Sequence, residues 1–150
     1  MHKLVILLGG NQGNRKALIL RALDLLTAEI GLCTQASSVF KSEAWGFEAD
    51  SAFLNQVIVL ETEKEPKEIL EITQKIENIL GRQRSSIGYA SRTMDIDILF
   101  YDDIILKDID LEIPHPRLHL RNFTLGPLVE VMPSFVHPIL LINSLIIMSL

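Results

Sequence analysis

Hydrophobic periodicity along this chain switches between a period of two and a period near 3.6 in a fixed order, and that order leaves few architectures open. Residues 3–8 form one apolar run that predicts a buried strand, and Gly9-Gly10-Asn11-Gln12-Gly13-Asn14 supplies a turn after it. From 15 to 30 the residues Leu18, Ile19, Ala22, Leu23, Leu26 and Ile30 recur at steps of three and four. They predict a helix capped by Asn14 and stopped by Gly31. Residues 34–41 and 53–62 read as two strands that pair, with an irregular loop around Trp45-Gly46 between them. Pro66 opens a second helix with Ile69, Ile72, Thr73, Ile76 and Leu80 on one face and Gly81 at its end. Residues 94–101 resume as a strand.

Strand, helix, strand, strand, helix, strand is the order of an α+β, ferredoxin-like βαββαβ core: a mainly antiparallel sheet with helices packed on it. Residues 102–150 would then decorate that core at its C-terminal side. With 150 residues, 48% of them hydrophobic and 22% charged, the chain matches a single domain over 1–150. No repeat, low-complexity tract or long linker divides it.

A net charge of −5 argues against general nucleic-acid binding, because a phosphate backbone would repel the chain as a whole. The single cysteine, Cys33, allows no intrachain disulfide and fits a reducing compartment; it reads as a small buried hydrophobe. The first apolar run is too short for a signal peptide. Residues 139–150 are very apolar yet fall short of the roughly 20 needed to cross a bilayer, so a packed terminal helix or strand is expected there, and no membrane.

The chemistry gathers in the second half. Asp95 and Asp97 alternate with Met94, Ile96, Ile98 and Phe100, so the two carboxylates share one strand face, roughly 7 Å apart at the backbone, and the apolar set takes the other. Paired carboxylates on an apolar strand are costly unless a cation or hydrogen-bond donors compensate them, and hard oxygen ligands suit Mg²⁺ carrying nucleotide phosphates. Taken alone, Asp-x-Asp is more often a solvated sheet face. The stretch before it, 82–93, changes that balance: Arg82, Arg84 and Arg92 are planar donors suited to phosphate, in a loop expected to be exposed and mobile. His115-Pro116-Arg117 and Arg121 add donors, although a histidine such as His115 commonly just caps its own loop. Phe53 and Asn55, two apart on a strand, place an aromatic platform beside an amide, which suits a flat heteroaromatic ring; Phe123 is a candidate for its other side. The glycine cluster is followed by neither Lys-Ser nor Lys-Thr and spells no dinucleotide fingerprint, which disfavours the common nucleotide folds.

The run Arg92-Thr93-Met94-Asp95-Ile96-Asp97-Ile98-Leu99 followed by Ile113-Pro114-His115-Pro116-Arg117 resembles the signature of the hydroxymethyldihydropterin pyrophosphokinases of folate biosynthesis. Gly10-Asn11, Phe53-Leu54-Asn55, Glu77 and Gly81-Arg82 fall in matching order, so the resemblance spans nearly the whole chain. It implies an ATP-dependent transferase whose Asp95 and Asp97 hold two Mg²⁺ ions, with Arg82 and Arg92 steadying the transferring group. It implies that Gln74, Glu77, Arg84, Ile98, His115 and Arg121 contact ATP, and that Ser42, Trp45, Phe53, Asn55 and Phe123 hold the pterin. A monomer in the cytoplasm, with these two small molecules as its partners, is the matching expectation. Gly10 stands where this family often has Ser, Phe53 where Tyr is frequent, and Gly88-Tyr89 where a basic residue and Trp are.

Two other classes compete. A nucleotidyltransferase or phosphohydrolase also uses paired aspartates with magnesium, and release of pyrophosphate or phosphate instead of AMP would reveal it. A ferredoxin-like sensor or RNA-binding module would act without metal, and the acidic charge argues against RNA.

Overall fold

A strand apolar on both faces belongs inside a sheet, and β1 (His2–Gly10) lies there: in the computed structural model it pairs antiparallel with β4 (Phe53–Thr62) and β7 (Asp95–Tyr101). The structure describes residues 1–10, 14–42, 53–81, 83–84, 90–91 and 94–149, with the backbone alone at 83–84 and 90–91. β2 (Leu32–Ala36) pairs with the free edge of β4, giving the order β2-β4-β1-β7, and β3 (Phe40–Ser42) continues along that edge. This is the ferredoxin-like order expected from the periodicity.

α1 (Arg15–Glu29) and α2 (Pro66–Ile79) start and stop where their signals lie. Asn14 Oδ1 accepts from the Ala17 N–H at 3.3 Å, and Gly81 follows α2 at φ 117°, a conformation that favours glycine. The strand expected over 34–41 is two strands. Ser37 breaks it by bonding Val57 twice: its N–H donates to the Val57 carbonyl and its Oγ accepts the Val57 N–H. Cys33 is only partly buried, since β2 is an edge strand; partial burial raises its thiol pKa.

Within 82–93, β5 (Gln83–Arg84) pairs with β6 (Ala90–Ser91). The rest of that expected loop, and the one around Trp45-Gly46, lie outside the described residues.

Both sheet faces are covered, each by its own core. On one side α1 and α2 bury Ile19, Leu26, Ile69 and Ile76 against Leu4, Ile6, Leu8, Ile58, Ile96 and Ile98. On the other, Val5, Leu7, Val57 and Val59 meet the 3₁₀ turn Leu118–Leu120, α3 (Asn122–Val131) and α4 (Ser144–Ser149). The C-terminal decoration thus divides: Ile104, Leu106, Leu111 and Ile113 join the helix-side core, while residues 118–149 form a third layer on the opposite face, and no described helix is long and apolar enough to cross a membrane. Only Ser144 and Ile147 of α4 are buried; Leu145, Ile146 and Met148 stay 45–54% exposed.

Phe100 corrects the simple alternation. The register shifts between Val5 and Ile6, which pair with Phe100 and Ile98. Leu99 is the extra residue, so Phe100 turns to the face shared with Asp95 and Asp97, where Phe135 meets it at 4.7 Å.

His137, 4% exposed, closes this second core: its Nδ1 accepts the N–H groups of Ile139 and Leu140, each at 3.1 Å, and its ring meets Phe100 edge-on. Burial pushes its pKa below 6.5, with His119 adding to the effect. An unfolded chain takes up a proton near that value while folded His137 stays neutral, so acidification below about pH 6.5 favours unfolding until the folded ring itself titrates. Thermal melts should show a midpoint that falls with pH through this window. His137→Asn, whose side-chain oxygen can accept the same N–H groups, should flatten the fall; an unchanged slope would take the role from His137.

Candidate active site

The pairing register builds the site before any side chain is considered. Asp95 and Asn55 both pair with Gly9, and Asp97 and Val57 both pair with Leu7. Asp95 and Asn55 therefore stand two strand spacings apart, about 10 Å at the backbone, with a glycine between them. Gly9 keeps this floor low: a Cβ there would lie 3.0 Å from Asn55 Oδ1. Beside Asn55, Ser42 pairs with Phe53, and the Asn55 Nδ2–H donates to Ser42 Oγ at 2.8 Å. That bond orients the amide and leaves its oxygen turned toward Gly9.

The 3₁₀ turn and the start of α3 supply the opposite wall. Leu120, Arg121, Asn122 and Phe123 line one cavity of about 740 Å³ together with Ser42, Phe53, Asn55, Asp95 and Asp97. The Arg121 guanidinium sits 5.5 Å over the Phe123 ring, a cation–π contact that holds both side chains at the rim.

His115 is tied to β7. Its N–H donates to the Leu99 carbonyl at 3.0 Å and its Nδ1 accepts the Arg117 N–H at 3.2 Å, so it does cap its own loop. Burial pushes its pKa down and the guanidinium charges of Arg121 and Arg117 push the same way, against the raising pull of Asp97. A neutral ring here is a hydrogen-bond donor or acceptor rather than a charge.

The other expected residues are placed elsewhere. Gln74 lies on a second cavity of about 410 Å³ between α2 and residues 108–111, with Leu70 and Leu111. Ile98 is buried in the helix-side core, in the same cluster as Leu111. Glu77 is 8% exposed, and its Oε2 accepts the Ile96 N–H at 3.0 Å. Arg82, Arg92 and Trp45 lie outside the described residues, and only the backbone of Arg84 is described, in β5.

The sequence model of the 7,8-dihydro-6-hydroxymethylpterin-pyrophosphokinase (HPPK) family matches residues 5–133. The chain belongs to this family. Two relatives named 2-amino-4-hydroxy-6-hydroxymethyldihydropteridine pyrophosphokinase agree with that. The Porphyromonas gingivalis protein is 41% identical over 134 residues, covering 87% of this chain and 90% of its own length. The Aquifex aeolicus protein is 39% identical over 132 residues, 88% of this chain and 81% of its own. Among solved structures, a triple mutant of Plasmodium falciparum HPPK-DHPS superposes with a TM-score of 0.81 over 99% of this chain at 17% identity. This chain spans 44% of that longer protein, and the likeness shows the shared HPPK fold. The two ends of this cavity differ in chemistry, Phe53 and Asn55 at one and Asp95 and Asp97 at the other.

Sequence reasoning missed Gly9, Leu7, Leu120 and Asn122 as cavity walls. Asn122 was within reach, lying between two residues already singled out. Gly9 was read as turn chemistry, and only the strand register reveals it as a floor.

Proposed function

We propose that this chain transfers the β,γ-diphosphate of ATP to the hydroxymethyl oxygen of 6-hydroxymethyl-7,8-dihydropterin, releasing AMP, as a step of tetrahydrofolate biosynthesis. The observation that carries this reading is the row Asp95, Gly9, Asn55 across three paired strands, which joins a carboxylate end to an aromatic-and-amide end in one cavity.

In this reading the pterin lies between Phe53 and Phe123, its ring edge held by Asn55 and by groups near Ser42 and Trp45. Its hydroxymethyl arm crosses Gly9 toward the aspartates. ATP runs from Gln74 and the apolar cluster of Leu111 and Ile98, past His115 and Arg121, to the same place, with Arg82, Arg84 and Arg92 on its phosphates. The hydroxymethyl oxygen forms a bond to the β-phosphorus as the bond from that phosphorus to the bridging oxygen breaks; this oxygen leaves with AMP, and the hydroxyl proton passes to Asp97. Positioning and charge neutralisation supply most of the acceleration.

Asp95 and Asp97 would hold two Mg²⁺ ions. No group of three metal-ligating side chains occurs among the described residues. Two hard carboxylates on one cavity wall nonetheless fit an ion that takes its remaining ligands from phosphate and water. Magnesium bound there would neutralise the triphosphate and align it for in-line attack. Action as a monomer in the cytoplasm belongs to the same proposal.

Incubation with ATP, Mg²⁺ and the pterin, followed by chromatography, tests it: AMP and the pterin diphosphate should appear in equal amounts, each dependent on the other substrate. Inorganic phosphate or pyrophosphate instead would favour a hydrolase or nucleotidyltransferase. Asn55→Ala should raise the KM for the pterin by roughly 10- to 100-fold, the cost of unpaired ring-edge polar groups, with the KM for ATP within about threefold. Equal rises in both would remove Asn55 from the pterin end.

A further inference from the structure

A carboxylate that is 8% exposed at the end of an amphipathic helix needs a reason to be there, and Glu77 has one on the edge of the sheet. β7 is an edge strand, so alternate residues turn their backbone groups away from β1. Asp95 and Asp97 pair with Gly9 and Leu7, and between them Ile96, opposite Leu8, gives its N–H to Glu77 Oε2 at 3.0 Å instead of to a strand. Glu77 therefore fastens β7 to α2 at the one residue that separates the two aspartates.

The resemblance assigns Glu77 to ATP; the geometry points to a further role beside it. We infer that Glu77 is a positioning residue, whose carboxylate locks the Ile96 peptide and thereby sets the spacing and direction of Asp95 and Asp97 for the cations they would hold. β1 fixes the two aspartates from the inner side and Glu77 fixes them from the outer side, so neither can swing as charge gathers between them. The strand beyond, at Leu99, already departs from regular register, which makes a local anchor here more necessary. This inference rests on the metal assignment of the previous subsection.

Glu77→Gln and Glu77→Leu separate the alternatives. Gln keeps an oxygen that accepts from Ile96; Leu keeps the bulk and removes the acceptor. The readouts are Mg²⁺ affinity by calorimetric titration with a non-hydrolysable ATP analogue, the Mg²⁺ concentration giving half-maximal AMP formation, kcat, and the KM for each substrate, with thermal melts to establish that both variants are folded. Glu77→Leu should raise the Mg²⁺ half-saturation by roughly tenfold, in the range found when partners of metal ligands are removed, and lower kcat, with little change in the KM for the pterin. Glu77→Gln should recover most of that loss. Two variants with the same Mg²⁺ response, or a rise confined to the KM for ATP, would overturn the positioning role while the metal assignment stands. A wild type whose turnover ignores Mg²⁺ would overturn the metal assignment, and this inference with it.

Discussion

Asp97→Ala is expected to lower kcat for AMP formation by roughly 10³-fold at saturating Mg²⁺, with a thermal midpoint close to that of the wild type. The two halves of this expectation have separate causes. Asp97 is held in the sheet by backbone pairing with Leu7, which alanine preserves, and the anchoring side chains of β7 are Ile96, Ile98 and Leu99, all 5% exposed or less. The carboxylate itself faces the cavity and not the core. Under the proposed function, deleting it removes a metal ligand beside the polyphosphate and leaves Phe53 and Asn55, at the other end of the cavity, untouched. Pterin binding measured without ATP should therefore survive, and Asp95→Ala should behave in the same way. A variant that turns over at the wild-type rate would remove the metal site from Asp97. One that fails to fold would show that the carboxylate stabilises β7.

The core fold was legible because its signals are local. Asn14 and Gly31 bracket α1, Pro66 and Gly81 bracket α2, and the strand 53–62 has the limits expected of it. The two ends of the cavity were legible for the same reason: Asp95 with Asp97, and Phe53 with Asn55, are pairs two apart on strands, and a period of two needs no tertiary information.

What escaped depends on register and on neighbours distant in sequence. The extra residue at Leu99 that turns Phe100 to the other face is a mismatch between β1 and β7, which neither strand carries by itself. Glu77 sits where a helix face reads as polar, and its burial follows from the strand edge that α2 happens to cover. The terminal helix α4 falls inside the apolar stretch 139–150, where a packed helix or strand was expected, but α3 escaped, because its internal Pro127 interrupts a helical pattern of only ten residues. The third layer matters for function, since Arg121 and Phe123 complete the cavity from it.

Gly31→Ala is expected to be the most destabilising single methyl the described fold can receive. The sequence marks Gly31 as a helix stop, but its deeper reason is space: a Cβ there would stand 1.8 Å from the Glu61 carbonyl oxygen and 3.0 Å from the Glu61 carbonyl carbon. Both are backbone atoms of the sheet and cannot step aside as a side-chain tip would. The chain leaving α1 would have to lift off the end of β4, weakening the pairing of Leu32 with Glu61 and the 3.0 Å bond from Thr62 Oγ1 to the Ile30 carbonyl. Such a backbone clash belongs with the larger single-residue effects, about 3–4 kcal/mol, which for a chain of this size lowers the thermal midpoint by about 10 °C. Asn55 lies six residues along β4 from Glu61, about 20 Å away. The folded fraction of the variant should therefore keep the wild-type KM for the pterin, and the loss should appear only in melting and in yield. A midpoint within about 2 °C of the wild type would mean that the α1–β2 connection has room to shift that its tight contact with Glu61 does not suggest.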